Sequence, residues 1–188
     1  MPMVDIKPRR QLTDYTCGPA SLRTVLKFFG KNAYEKPMIK YAKINSNYGT
    51  SHTQMRKLAR KYKFSCYTKE NAGIKDIEHW IDKKVPVIVD YQDWGANNGR
   101  NGHYAVVIGY NKKFLTIADP ANYDYGDRRH YAGVKRISKK KFLKRWWDID
   151  GKGSGVALIQ KFDNKELDLS DVPKKYIIKG WFCVVKPK

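Results

Sequence analysis

Cysteine is scarce in this chain: Cys17, Cys66 and Cys183 are its three thiols. An odd number with no CxxC pair argues against a disulfide framework or a zinc ribbon and favours a reducing compartment. No two histidines or cysteines have ligand spacing, so neither a metal nor another cofactor is expected. Long apolar runs are also missing. VPVIV and AVVIG are strand-sized, far short of a membrane-spanning helix. The opening MPMVDIKPRRQL holds no apolar stretch of signal-peptide length, so a cytoplasmic location is expected. Acidic residues are few. Asp and Glu number 18 against 38 Lys and Arg, a formal charge of +20. That excess favours acidic peptides, nucleic acid or anionic surfaces as neighbours and is silent about fold. Internal repeats and low-complexity tracts are absent.

What is present suits one domain spanning residues 1–188, because 188 residues can bury a single sizeable core. Aromatics at 13% set the chain apart from a disordered basic tail. Leu22, Val25, Leu26 and Phe29 follow the i, i+3, i+4, i+7 spacing of one buried helix face. Thr16 or Cys17 suits the N-cap, Pro19 the first turn and Gly30 the stop. Residues 37–44 suggest a second short helix. SHTQMRKLARKY is a third, capped by Ser51 or Thr53, and IKDIEHWIDKK is a fourth. FSCYTK, VPVIVDY, HYAVVIGY and FLTIADP have the β-branched, aromatic character of strands, with a hairpin turn at residues 111–113. A loop over 120–133 leads to a helix in ISKKKFLKRWW, and VALIQKF and YIIKGWFCVVK close the chain as strands. Helices first and a mainly antiparallel sheet second is the α+β pattern.

The chemistry concentrates at QLTDYTCGPASL, residues 11–22. A thiolate is a far better nucleophile than a thiol. A helix N-terminus and a nearby imidazolium lower a cysteine pKa from ~8.5 to roughly 3.5–7.5. Cys17 stands at such a terminus. Its partner would be a histidine oriented by a third group. His79 lies in an amphipathic helix beside Trp80, His52 suits a helix cap and His130 sits in a polar loop. His103 differs, because it stands where the Gly- and Asn-rich loop 92–102 becomes a strong strand. Asp119 ends the next strand, so antiparallel pairing makes the two neighbours, and Asp119 can then fix the imidazole tautomer. Gln11 lies six residues before Cys17. Its amide and the Cys17 N–H would be two donors for a carbonyl oxygen gaining charge.

QLTDYTCGPASL followed by GHYAVVIGY and IADP resembles the papain-like cysteine peptidases related to the bacteriocin-processing, double-glycine-leader enzymes, over about residues 9–122. The resemblance implies a papain-like fold with Gln11 as the oxyanion-hole glutamine, Cys17 as nucleophile, His103 as base and Asp119 as its orienting carboxylate. Residues 123–188 carry no motif of that family and are expected to complete the domain.

Three functions follow. The first is a thiol peptidase acting through an acyl-enzyme on a peptide or protein, with acidic ones favoured by the +20 charge. The second is an amidase or acyl/glutamyl transferase using the same site. The third is a non-catalytic basic module that binds nucleic acid or an acidic partner. Cys66 and Cys183 read as buried hydrophobes, the KKK run at 139–141 as a solvated helix face, and Trp146 and Trp147 as core or lid.

Overall fold

The apolar face read from residues 22–29 becomes helix α1 (Cys17–Phe28), and Leu22, Val25 and Leu26 are fully buried. The computed structural model describes residues 1–92, 102–121, 133–149 and 174–188. Thr16 is the N-cap residue, yet its side chain caps nothing in the helix and turns back to the Thr13 carbonyl and N–H. Helices α2 (Glu35–Ala42) and α3 (His52–Lys61) follow. Ser51 and Gln54 close a capping box at the start of α3, so Ser51, rather than Thr53, is the cap. FSCYTK forms β1 (Phe64–Lys69). In α4 (Ile74–Asp82) Ile77 and Ile81 are buried and His79 is exposed.

Strands β2 (Val87–Gln92), β3 (Gly102–Tyr110) and β4 (Phe114–Asp119) form the middle of the sheet. The Asn111 side chain accepts the N–H groups of Lys113 and Phe114, which makes the β3–β4 connection a side-chain-supported turn. Every residue of β2 is buried. Both faces of this strand are therefore covered, which is why its sequence does not alternate. The six-stranded sheet has the order β1-β8-β2-β3-β4-β5 with antiparallel neighbours throughout, where β5 is Gly133–Ser138 and β8 is Phe182–Pro187. Helix α1 packs on β3, α3 on β1, and α4 on β2 and β3. The expected α+β arrangement, helices packed on a mainly antiparallel sheet, is what the chain adopts.

Three expectations need correction. The residues ahead of the last helix form the edge strand β5, and Ile137 and Ser138 belong to it rather than to the helix. Lys135 and Arg136 and a single buried apolar residue, Ile137, mask the strand pattern. Helix α5 is shorter than expected (Lys139–Arg145), because Ser138 caps it and Trp147 opens β6 (Trp147–Ile149). YIIKGWFCVVK splits into β7 (Ile177–Lys179), paired with β6, and β8. The break is Gly180. Its φ of +56° and its backbone approach to Ala72, where a Cβ would lie 2.6 Å from the Ala72 carbonyl oxygen, exclude any side chain. VALIQKF, His130 and most of the loops 92–102 and 120–133 lie outside the described residues.

Trp146 and Trp147 are core, not lid. Of the basic run, Lys140 and Lys141 are exposed, while Lys139 pairs with Glu78 at 2.6 Å and Arg145 is buried. No helix among the described residues is long and apolar enough to cross a membrane.

Candidate active site

The N-terminal segment brings the first residue of the site into place. Val4 N–H donates to Ile108 O at 2.7 Å and Tyr110 N–H to Pro2 O, so residues 2–4 run along β3. Further on, Gln11 N–H donates to the Pro120 carbonyl at 3.2 Å, which pins Gln11 beside the end of β4. The following residue is held from the other side. Leu12 N–H donates to the buried carboxylate of Glu35, whose second oxygen pairs with Arg23 at 2.9 Å. Burial raises the Glu35 pKa, against the lowering effect of Leu12, Thr16 and Arg23. Gln11 is itself buried, and its Oε1 has no hydrogen-bond partner among the described residues.

Cys17 is the first residue of α1, where no side-chain cap occupies the free N–H groups of the helix end. Four residues on, the Ser21 hydroxyl donates to Tyr104 O at 3.1 Å. Cys17 and Ser21 share a helix face, so this bond turns Cys17 toward the start of β3. Gly18 permits a second close approach, since a Cβ there would lie 2.8 Å from the Thr50 side chain.

His103 and Asp119 meet as the strand order requires. The His103 Nε2–H donates to Asp119 Oδ1 at 2.8 Å, and Ala121 N–H donates to the same oxygen at 2.8 Å. The other carboxylate oxygen faces Lys135 Nζ of β5 at 2.5 Å. Burial works against the charge on Asp119, but the His103 imidazolium and the Lys135 ammonium outweigh it and hold the carboxyl well below its usual range. Burial also works against charge on His103. The Asp119 carboxylate and the Cys17 sulfur outweigh it, and the His103 pKa rises well above 6.5. With Nε2 committed to Asp119, Nδ1 is the nitrogen left for Cys17. Tyr91, opposite His103 in β2, meets the imidazole edge-on at 5.8 Å.

Cys17, His103 and Asp119 thus meet, and the backbone of Gln11 is held at Pro120, the residue after Asp119. Lys135 joins them and was not foreseen, because it lies on the edge strand whose pattern was masked. Asp90 does not face His103. It sits opposite Tyr104 and takes His52 Nε2 at 2.9 Å, while burial pushes its carboxyl up to about 6. The Asp148 carboxyl is likewise raised, first by burial and then by the charge of Asp90. Cys66 and Cys183, expected as separate core residues, face each other across β1 and β8 with sulfurs 2.8 Å apart. Contact with Cys183 lowers the Cys66 pKa, and contact with Cys66 raises that of Cys183.

The Peptidase_C39-like family matches residues 3–154 of the chain. No curated protein matches it. Among solved structures, the peptidase domain of Streptococcus ComA, a bifunctional ABC transporter involved in a quorum-sensing pathway, is similar with a TM-score of 0.64 and 22% identity. That match covers 97% of this chain and 98% of the other. A double glycine motif protease from an AMS/PCAT transporter, in complex with its leader peptide, gives a TM-score of 0.61 and 17% identity over 99% of this chain and 94% of that one. The peptidase domain of Streptococcus mutans ComA gives 0.54 and 20%, covering 96% and 99%.

Proposed function

The chain belongs to the Peptidase_C39-like family of cysteine peptidases, and on that premise we propose that Cys17 is its nucleophile, His103 the base, Asp119 the orienting carboxylate and Gln11 an oxyanion donor. His103 contacts the Cys17 sulfur and takes its proton at Nδ1 as the sulfur attacks. The sulfur attacks the scissile carbonyl carbon and the C=O bond opens. Negative charge moves onto the oxygen, where the Gln11 amide and the Cys17 N–H accept it as hydrogen-bond donors. As the tetrahedral intermediate collapses, the C–N bond breaks. His103 passes its Nδ1 proton to the departing amine, which leaves a thioester on Cys17. Water then gives a proton to Nδ1 and attacks the thioester. The carboxyl product departs, and the thiol and imidazole are restored. Asp119 stays ionised throughout, because Lys135 and His103 both stabilise its charge.

One observation carries this reading: the His103–Asp119 hydrogen bond stands directly beside a cysteine at an uncapped helix N-terminus. The substrate class is a peptide. The AMS/PCAT protease was captured with a leader peptide, so a peptide ending its leader in two glycines is the first to try. Incubation of such a peptide with wild type and Cys17→Ala, followed by mass spectrometry, tests the mechanism. Cleavage by wild type, absent in Cys17→Ala, supports it, together with an acyl adduct on the Cys17 peptide when the reaction is acid-quenched. Equal cleavage by both proteins refutes it. Adding a primary amine separates hydrolysis from transfer, since a transferase would yield the amide in place of the acid.

A further inference from the structure

We propose that His52, Asp90 and Asp148 form a binding site for a divalent transition-metal ion such as zinc or manganese, separate from Cys17 and His103. One ligand atom from each of these residues lies within 4.8 Å of the other two. His52 Nε2 and Asp90 Oδ2 are 2.9 Å apart. Two cis ligands about 2.1 Å from an octahedral ion such as manganese sit about 3.0 Å apart.

The second observation is a buried oxygen. Asp90 is 2% exposed, and its Oδ1 has no hydrogen-bond partner among the described residues. The Tyr104 phenol lies close to Asp90, but its oxygen is equally without a completed hydrogen bond. The carboxyl of Asp148 is within hydrogen-bonding reach of Asp90. Two carboxylates are acceptors only when both are ionised, so a pair this close must hold a positive species between them, a proton or a metal ion. Protein donors to the pair include the His52 ring N–H, Gln92 Nε2, which reaches Asp148 Oδ1 at 3.2 Å, and the Ile149 backbone N–H, which bonds Asp148. A divalent ion would neutralise both carboxylates at once.

The three ligands stand on separate rigid elements, as a preorganised site requires. His52 opens α3 and stacks flat on Trp181, with ring centroids 3.9 Å apart and planes 2° apart. Asp90 is in the all-buried β2, and Asp148 is in β6, packed so closely on Gly102 that a Cβ there would collide with its carboxylate. A cavity of about 450 Å³ lined by Thr50, Ser51, His52 and Asp148, among others, gives access from outside. One imidazole and two carboxylates are a donor set for zinc, manganese or ferrous iron rather than for a thiophilic ion.

The test uses the full-length Cys17→Ala chain, so that the Cys17–His103 pair cannot capture the ion. After dialysis against EDTA, the protein is titrated with Zn²⁺ by calorimetry and with Co²⁺ as an optical probe. One ion per chain is expected, with cobalt ligand-field bands and no sulfur-to-cobalt charge-transfer band. Asp148→Asn and His52→Gln, each added to that background and verified as folded by circular dichroism, should weaken binding at least ~10-fold. Absence of binding would leave the two carboxylates sharing a proton and overturn the proposal. So would unchanged affinity in Asp148→Asn, or a charge-transfer band that places the ion on Cys66 and Cys183.

Discussion

Lys135 holds its ammonium 2.5 Å from Oδ2 of Asp119, the carboxylate whose other oxygen orients His103. The orienting group is therefore itself oriented, from an edge strand. Its charge is stabilised from both sides, and only the Lys135 side is partly open to solvent, at 29%.

Lys135→Met should lower kcat by about tenfold, the equivalent of roughly one pKa unit of lost stabilisation, while KM changes little. Loss of the ammonium lets the Asp119 carboxyl rise from its depressed value. The acid limb of the kcat/KM profile then moves to higher pH. A pH–rate series on wild type and variant checks this. An unmoved acid limb would show that Lys135 serves only to pair a surface charge.

Asp119→Asn should cost on the order of 10²–10⁴ in kcat, since the amide cannot stabilise the imidazolium and can present the wrong partner to Nε2. The His103 pKa is raised by the Asp119 charge against the effect of burial. Removing that charge lowers it, and the alkaline limb should shift down in pH. Turnover at the wild-type level with an unshifted limb would mean that another group orients His103.

The same two shifts predict how stability follows pH. The folded His103 pKa lies above the unfolded value of ~6.5. Its contribution is therefore complete below pH ~6.5 and declines as pH rises through the folded value. The folded Asp119 pKa lies below the unfolded value of ~3.9, so its contribution is complete above pH ~3.9 and declines as pH falls toward the folded value. The melting-temperature gap between wild type and His103→Gln should thus be widest between pH ~4 and ~6.5 and narrow on the alkaline side. A gap that widens with rising pH would contradict the assignment of an imidazolium to the folded state.

Glu35 and Gln11 should separate positioning from chemistry. Gln11→Ala removes one donor and should cost roughly 10²–10³ in kcat, with little change in melting temperature. Glu35→Ala removes the acceptor of Leu12 N–H and the partner of Arg23 together. It should lower both melting temperature and kcat, because the segment that carries Gln11 loses its anchor. Wild-type kcat in a folded Glu35→Ala protein would detach that anchor from the site.

Cys66 and Cys183 should differ in alkylation despite their contact. Cys66 is half-buried with a lowered pKa, whereas Cys183 is fully buried with a raised one. Peptide mapping after iodoacetamide treatment of native protein between pH 6 and 8 should find Cys66 modified and Cys183 intact until denaturation. Equal modification of both would mean that β1 and β8 separate in solution.

Much of this site is local, and local features are legible in a sequence. Cys17 followed by Gly18 and Pro19 ahead of an apolar 3.6-residue period announces a thiol at a helix start. His103 and Asp119 flank two strands joined by an Asn-led turn, so strand geometry alone makes them neighbours. The elements from α1 to β4 follow from periodicity and capping residues in the same way. Tertiary structure decided the rest, because those contacts join segments whose own patterns carry no mark of the partner. Lys135 stands on a basic edge strand whose pattern assigns it to no element, and it reaches Asp119 only because β5 pairs with β4. Glu35 anchors the Gln11 segment from 23 residues away in sequence. Cys66 and Cys183 lie 117 residues apart, until β8 returns to pair with β1. His52, Asp90 and Asp148 come from a helix start, a buried strand and a three-residue strand. No spacing rule links them, and only the packing of α3 and β6 around β2 makes them one cluster.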